Sequence, residues 1–210
     1  MSSVQTHSGA SMDRAYWEDL AESFEDEIFD VFAHDRRGLI RSHIERLGAQ
    51  EKAAADLGCG IGGFLPLLAR NFGLVHAVDV SRQCLQRAEA KCASFGNIRF
   101  AQADLTKPPQ EPLGVDLALS VNAILMDSVA ERLAMIETIC RHVAVGGHLI
   151  LVLPSIESRL LVDWRRLQWN LRDGLSPAAA ARVGFEQAES GNGSRLNLGI
   201  AEVRGTPTKH

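Results

Sequence analysis

Between residues 53 and 154 short apolar runs alternate with stretches of helical periodicity, and this alternation constrains the fold more than any other feature of the chain. AAADL (53–57), LVHAVDV (74–80), IRFAQADL (98–105), VDLALSV (115–121) and GGHLILVLP (146–154) have the length and character of strands. GFLPLLARNF (63–72), the run from Ser81 to about Phe95, and the run from Ser128 to about Ala144 have the periodicity of helices. Pro66 falls in a first helical turn, where its missing N–H costs little. Ser81 can cap the next helix and Gly96 can stop it, while Ser128 and Glu131 spell a capping box. The helix behind that box is expected to turn Leu133, Ile136, Ile139, Cys140 and Val143 inward. Strands alternating with helices at this spacing imply right-handed βαβ units. The expected fold is α/β, a doubly wound, mostly parallel Rossmann-like sheet that binds its ligand at the carboxyl ends of the strands.

Two helical segments precede the alternation. Trp17, Leu20, Ala21, Phe24, Ile28, Val31 and Phe32 form one stripe, opposite Glu18, Asp19, Glu22, Glu25, Asp26, Glu27 and Asp30. That pattern predicts one amphipathic helix from about Tyr16 to Phe32 with a solvated acidic face. A second helix should bury Ile40, Ile44 and Leu47 and end near Gly48. After the last strand, IESRLLVDWRRLQWNLRDG (156–174) reads as a helix, with Trp164 and Trp169 expected to pack it on the sheet. A single domain over residues 1–210 follows, made of an N-terminal helical cap (12–48), a core (49–155), and a helical lid with an edge strand (156–210).

Composition narrows the function classes. Hydrophobic residues make up 46% of the 210 and charged residues 23%, an ordinary globular balance. The formal net charge is −4 with no basic tract, so a nucleic-acid partner is not expected. No apolar run approaches the roughly 20 residues of a membrane span, and MSSVQTHSGASMDR lacks the apolar core of a secretory leader. Cys59, Cys84, Cys92 and Cys140 form no CxxC pair, and the seven histidines are scattered. Reduced thiols, no metal site and a cytoplasmic protein are the corresponding expectations.

The chemistry is concentrated in AAADLGCGIGGF. Gly58, Gly60, Gly62 and Gly63 leave the first strand and enter a helix, a turn that lets backbone approach a ligand closely. Asp79 ends the second strand, 21 residues after Gly58, where a carboxylate can accept from both hydroxyls of a ribose. Gly58-x-Gly60-x-x-Gly63 also satisfies the dinucleotide fingerprint, so an NAD-dependent oxidoreductase is an alternative. Asp56 separates the two, because its charge at the mouth of the loop repels a pyrophosphate and suits an ammonium group. Asp104, in QADL (102–105), can meet an adenine amino group. A ligand with ribose, adenine and an amino-acid ammonium but no phosphate is S-adenosylmethionine.

These motifs resemble those of class I S-adenosylmethionine-dependent methyltransferases of the broad small-molecule type. DLGCGIG (56–62) matches the family's D/E-x-G-x-G-x-G, AVDVS (77–81) its ribose-binding strand end, and QADL its adenine-contacting segment. The likeness extends over about residues 12–155. It implies that Gly58, Cys59, Gly60 and Gly62 contact the cofactor, and that Asp56 lies near its amino-acid part. It further implies that Asp79 with Val80 takes the ribose, that Ala103, Asp104 and Leu105 take the adenine, and that Ser120 lies alongside. The N-terminal helices of such enzymes close over the methionine end, which would involve Tyr16 and Trp17. A small-molecule acceptor is expected beyond the fourth strand, near Asn122 and Asp127. Neither (D/N)PP(Y/F) nor a Pro-Cys pair follows that strand. A non-catalytic, cofactor-binding partner subunit is the non-enzymatic alternative. The family's sheet ends in a helix and a β-hairpin, yet only LNLGIAEV (196–203) alternates in the last segment. The sequence thus predicts an incomplete hairpin and an open sheet edge, covered by residues 196–203, a partner chain or a homodimer.

Overall fold

A computed structural model describes residues 14–28, 30–108, 111–126 and 128–180. Asp127, residues 196–203 and the expected terminal hairpin lie outside the described residues. Five strands form one sheet: β1 (Ala49–Leu57), β2 (Phe72–Asp79), β3 (Ile98–Gln102), β4 (Val115–Val121) and β5 (Val143–Val152). Their order is β3-β2-β1-β4-β5 and every pairing is parallel. The register pairs Leu57 with Val78, Asp79 with Gln102, and Val121 with Val152, so the carboxyl ends of the strands share one edge. The chain winds outward from β1 through β2 to β3, then returns to the other side of β1 as β4. A crevice opens at that reversal, between the ends of β1 and β4.

Helices cover both faces. Ile40, Ile44 and Leu47 of α4 (Leu39–Leu47) pack in one core cluster. Leu65 and Leu68 of α5 (Leu65–Asn71) join them, as do Leu85 and Ala88 of α6 (Arg82–Lys91). The opposite cluster gathers Ala55, Leu57, Val115 and Ala118 of the sheet under Met135 and Ile139 of α7 (Val129–Arg141). Adjacent β1 residues Ala54 and Ala55 fall in different clusters, as the two-residue period of a strand requires. The expected caps form: Ser81 Oγ accepts from Cys84 N at 3.1 Å and Ser128 Oγ from Glu131 N at 3.3 Å.

Several expectations need correction. The acidic N-terminal segment is not one helix. It breaks into α1 (Arg14–Leu20), a 3₁₀ turn (Ala21–Ser23), α2 (Phe24–Glu27) and α3 (Val31–His34). Ile28 is extended, and the Asp30 carboxylate accepts from Ala33 N at 2.9 Å, so a side chain restarts the helix where backbone bonding lapses. The apolar stripe survives the break: Ala21 and Val31 are buried, and Trp17, Phe24, Ile28 and Phe32 half-buried. β3 stops at Gln102, because Asp104 accepts from Thr106 N at 3.0 Å and Thr106 Oγ1 at 2.6 Å in a local turn. α7 buries Met135, Thr138 and Ile139, while Leu133 is 61% exposed and Cys140 is exposed. Its inward face is therefore rotated from the one the apolar pattern suggested. In α8 (Ile156–Arg172), Trp164 and Trp169 are each more than half exposed, so neither anchors that helix on the sheet. No helix of the described residues is long and apolar enough to cross a membrane.

Candidate cofactor and acceptor site

The site is built from the ends of the strands. Strand β1 delivers Asp56 and then a tight turn, in which Gly58 N and Cys59 N both donate to Val78 O, at 2.8 and 3.0 Å. These bonds tie the glycine turn to β2 just before its terminal acid. Asp79 then closes the connection: its Oδ2 accepts from Gly60 N at 2.8 Å and its Oδ1 from Ser81 N at 2.9 Å. An ionised carboxylate has about four acceptor sites, so a lone pair on each oxygen is left for a ligand hydroxyl. Asp79 is 8% exposed, and burial raises its acid above the ordinary value despite the backbone bonds.

A cavity of about 230 Å³ lies against this carboxylate, where one water needs roughly 10–15 Å³. Gly58, Gly60, Asp79, Val80, Ala103, Asp104 and Leu105 line it. Val121, Asn122, Ala123, Met126 and Met135 line it as well, and Arg14, Trp17, Phe24 and Ile28 join them from the N-terminal segment. Of the residues expected at the site from sequence, the cavity therefore brings together Gly58, Gly60, Asp79, Val80, Ala103, Asp104, Leu105 and Asn122.

Of the other described candidates, Gly62, Cys59, Ser120, Tyr16 and Asp56 do not line it. Gly62 backs onto Ala88 and Leu65, and Cys59 is buried with its thiol directed at Gly60 O. Burial pushes that thiol well above its usual range, so it is not a nucleophile at neutral pH. Ser120 donates to Leu57 O at 2.8 Å and ties β4 to β1. Tyr16 stacks edge-on against Trp17, 5.2 Å between ring centres, and it is Trp17 that faces the cavity. Asp104 reaches the wall while holding its own turn and an ion pair to Lys107 at 3.0 Å. Burial raises its acid, but the Thr106 and Lys107 bonds and the Lys107 charge outweigh that and hold it low.

Asn122 has the one left-handed backbone among the described non-glycine residues, φ +55°, and its Oδ1 is buried without a hydrogen-bond partner. An orphaned acceptor in a cavity wall marks where a donor from a ligand or water belongs. Sequence reasoning missed Phe24, Ile28, Met126 and Met135, which were legible only as core-type residues.

Asp56 is 3% exposed, and burial, then the nearby Asp79 charge, push its acid from 3.8 up to about 7. A raised acid holds its proton more tightly in the folded chain than in the unfolded one. Its contribution to stability is complete below about pH 4 and is lost as pH rises through 7. Unliganded Asp56→Asn, which cannot ionise, should therefore lose less stability than the native chain between pH 5 and 8. Urea midpoints across that range test this, and parallel curves for the two proteins would refute it.

Comparison with known proteins agrees with this geometry. Residues 54–147 match the model of a methyltransferase domain family. That segment is similar to methyltransferase domains, and the parallel sheet around it has the Rossmann-like fold of class I methyltransferases. Over 142 residues the segment and its flanks are 30% identical to phosphoethanolamine N-methyltransferase of Triticum aestivum, covering 65% of this chain and 28% of that protein. The solved phosphoethanolamine N-methyltransferase 1 of Haemonchus contortus, in complex with phosphoethanolamine and S-adenosylhomocysteine, superposes with a TM-score of 0.56 at 20% identity. It covers 68% of this chain and 32% of that one. A Pyrococcus horikoshii protein gives 0.56 at 21% identity, covering 71% and 70%. The chain thus spans under a third of the length of both phosphoethanolamine methyltransferases, and the structural likeness concerns the methyltransferase fold.

The residues present suit the family's cofactor. The buried Asp79 carboxylate keeps acceptor capacity toward the cavity, and Val80 and Leu105 offer apolar walls for a base, while Asp56 is buried and does not line the cavity.

Proposed function

We propose that this domain binds S-adenosylmethionine along the crevice and transfers its methyl group to a small-molecule acceptor seated against Asn122, Met126 and Met135. The observation that carries the reading is the buried Asp79 carboxylate, aimed by two backbone donors and lining a cavity that Asn122 and Met126, which follow β4, also line. Asp79 holds the ribose, and Ala103, Asp104 and Leu105 flank the adenine. Bound there, the sulfonium supplies an activated methyl group on a good leaving group. The chain's own work is then alignment and shielding. Trp17, Phe24 and Ile28 exclude water, and Asn122 orients the acceptor through its unpartnered amide oxygen. Holding reactants in line supplies roughly 7–11 kcal/mol of such a barrier, so no strong general base is required. The chain's similarity to phosphoethanolamine N-methyltransferases makes a small polar amine the first acceptor to try.

Calorimetric titration with S-adenosylhomocysteine and, separately, with NAD tests the cofactor. Micromolar binding of the first is expected, roughly −7 to −9 kcal/mol. Heat from NAD with none from S-adenosylhomocysteine would overturn the reading. A panel of small amines, alcohols and thiols with labelled S-adenosylmethionine then tests the transfer itself.

A further inference from the structure

The two backbone groups that aim Asp79 are each braced by the same distant segment. Ser81 N donates to Asp79 Oδ1, and Ser81 is itself held by Glu18 of α1: Ser81 Oγ donates to Glu18 Oε2 at 2.9 Å. The same carboxylate accepts from Arg82 N and Gln83 N, both at 2.9 Å. Glu18 thus occupies the first turn of α6 from outside, 63 residues away in sequence from Ser81, with its side chain 19% exposed. The other donor is Gly60 N. The Phe24 ring lies directly on Gly60: a Cβ there would stand 2.7 Å from Phe24 Cζ. Between these two braces, Arg87 of α6 donates to Ala21 O and pairs with Glu25.

We propose that Glu18 is a positioning residue for the cofactor's ribose acid, acting through Ser81 on Asp79. The argument runs through directional bonds. A carboxylate held by backbone donors on flexible turns can rotate and lean toward either of Gly60 N and Ser81 N. Fixing Ser81 at both its N–H and its hydroxyl removes one of these freedoms, and seating Phe24 on Gly60 removes the other. Docking of residues 18–25 and orientation of Asp79 then become one event. The wall that Trp17 and Phe24 lend to the cavity is in place when the ribose acceptor is correctly aimed. A glutamate that merely capped α6 would stabilise the helix without regard to what Asp79 binds.

That difference is measurable. The inference rests on the cofactor reading above, so the experiment is a binding cycle with S-adenosylhomocysteine alone: native chain, Glu18→Ala, Asp79→Ala and the double variant, by calorimetry. In the native background Glu18→Ala should weaken binding about tenfold. In the Asp79→Ala background the same change should cost less than twofold, because the residue through which it acts is gone. Glu18→Gln, which keeps one acceptor oxygen, should fall between native and Glu18→Ala, and it carries the cycle if the alanine variant folds poorly. Arg87→Ala, which loosens the same docked segment at Ala21 and Glu25, should likewise cost less in the Asp79→Ala background than in the native one. An equal loss for Glu18→Ala in both backgrounds, or no loss in either, overturns the positioning role while leaving the cofactor assignment standing. Absence of S-adenosylhomocysteine binding by the native chain would instead remove the assignment beneath it.

Discussion

Asp79→Ala is expected to bind S-adenosylhomocysteine ten- to a hundredfold more weakly than the native chain. The carboxylate ends β2 at the lip of the cavity, and two of its acceptor positions are already committed to Gly60 N and Ser81 N. The remaining positions can take two vicinal hydroxyls. Hydrogen bonds to a charged group are worth about 1.5–3 kcal/mol, which converts to between one and two decades of affinity. Unliganded stability should change little, because two effects oppose. The substitution strands two backbone donors, yet it also removes a buried charge beside Asp56, and each of these acids is made costly to ionise by burial and by a neighbouring carboxylate. Calorimetry on the variant and a thermal melt without ligand separate these effects. Undiminished affinity would mean that the ribose is held elsewhere.

Gly58→Ala should be the most disruptive single methyl in the chain's glycine turn. Gly58 has φ +84°, a backbone that L side chains adopt at a cost of roughly 1–2 kcal/mol. Its new Cβ would also stand 2.3 Å from the Ala123 Cβ, where ordinary contact begins near 3.4 Å. Overpacking of this kind costs about 1–3 kcal/mol. Together the terms predict a loss of roughly 2–5 kcal/mol, or about 5–15 °C in melting temperature for a domain of this size. Ala123 follows Asn122, so the strain should spread into the acceptor wall and weaken S-adenosylhomocysteine binding as well. Ala123→Gly in the same chain removes the collision but not the backbone strain. The double variant should therefore recover part of the stability and not all of it. A melting temperature within about 1 °C of native for Gly58→Ala would show that the turn relaxes freely.

The core of the fold was legible because its signals are local. Ala53–Leu57 and Val115–Val121 are short apolar runs that only a buried strand accommodates. Ser81 announces a helix start by a bond to a residue three positions on. The glycine turn and Asp79 are read together because a parallel βαβ unit places the end of one strand beside the end of the next, whatever else the chain does. The resemblance to methyltransferases rested on those same strand ends.

Tertiary structure decided the rest. α7 had apolar residues on more than one face, and the sheet selected Met135 and Ile139 over Leu133. β3 ended three residues early because Asp104 and Thr106 satisfied each other locally and left the ladder. Tyr16 was the site candidate in the sequence and Trp17 a residue of the apolar stripe, yet packing turned Trp17 to the cavity. Asn122 took a left-handed backbone that no neighbouring letter announces. Glu18 looked like any solvated acid until α1 was laid across α6, where three donors met its carboxylate. Periodicity and capping act over three or four residues and are written in the order of the letters. A contact between positions 18 and 81 depends on how every intervening element packs, and it acquires its meaning only once the chain has closed on itself.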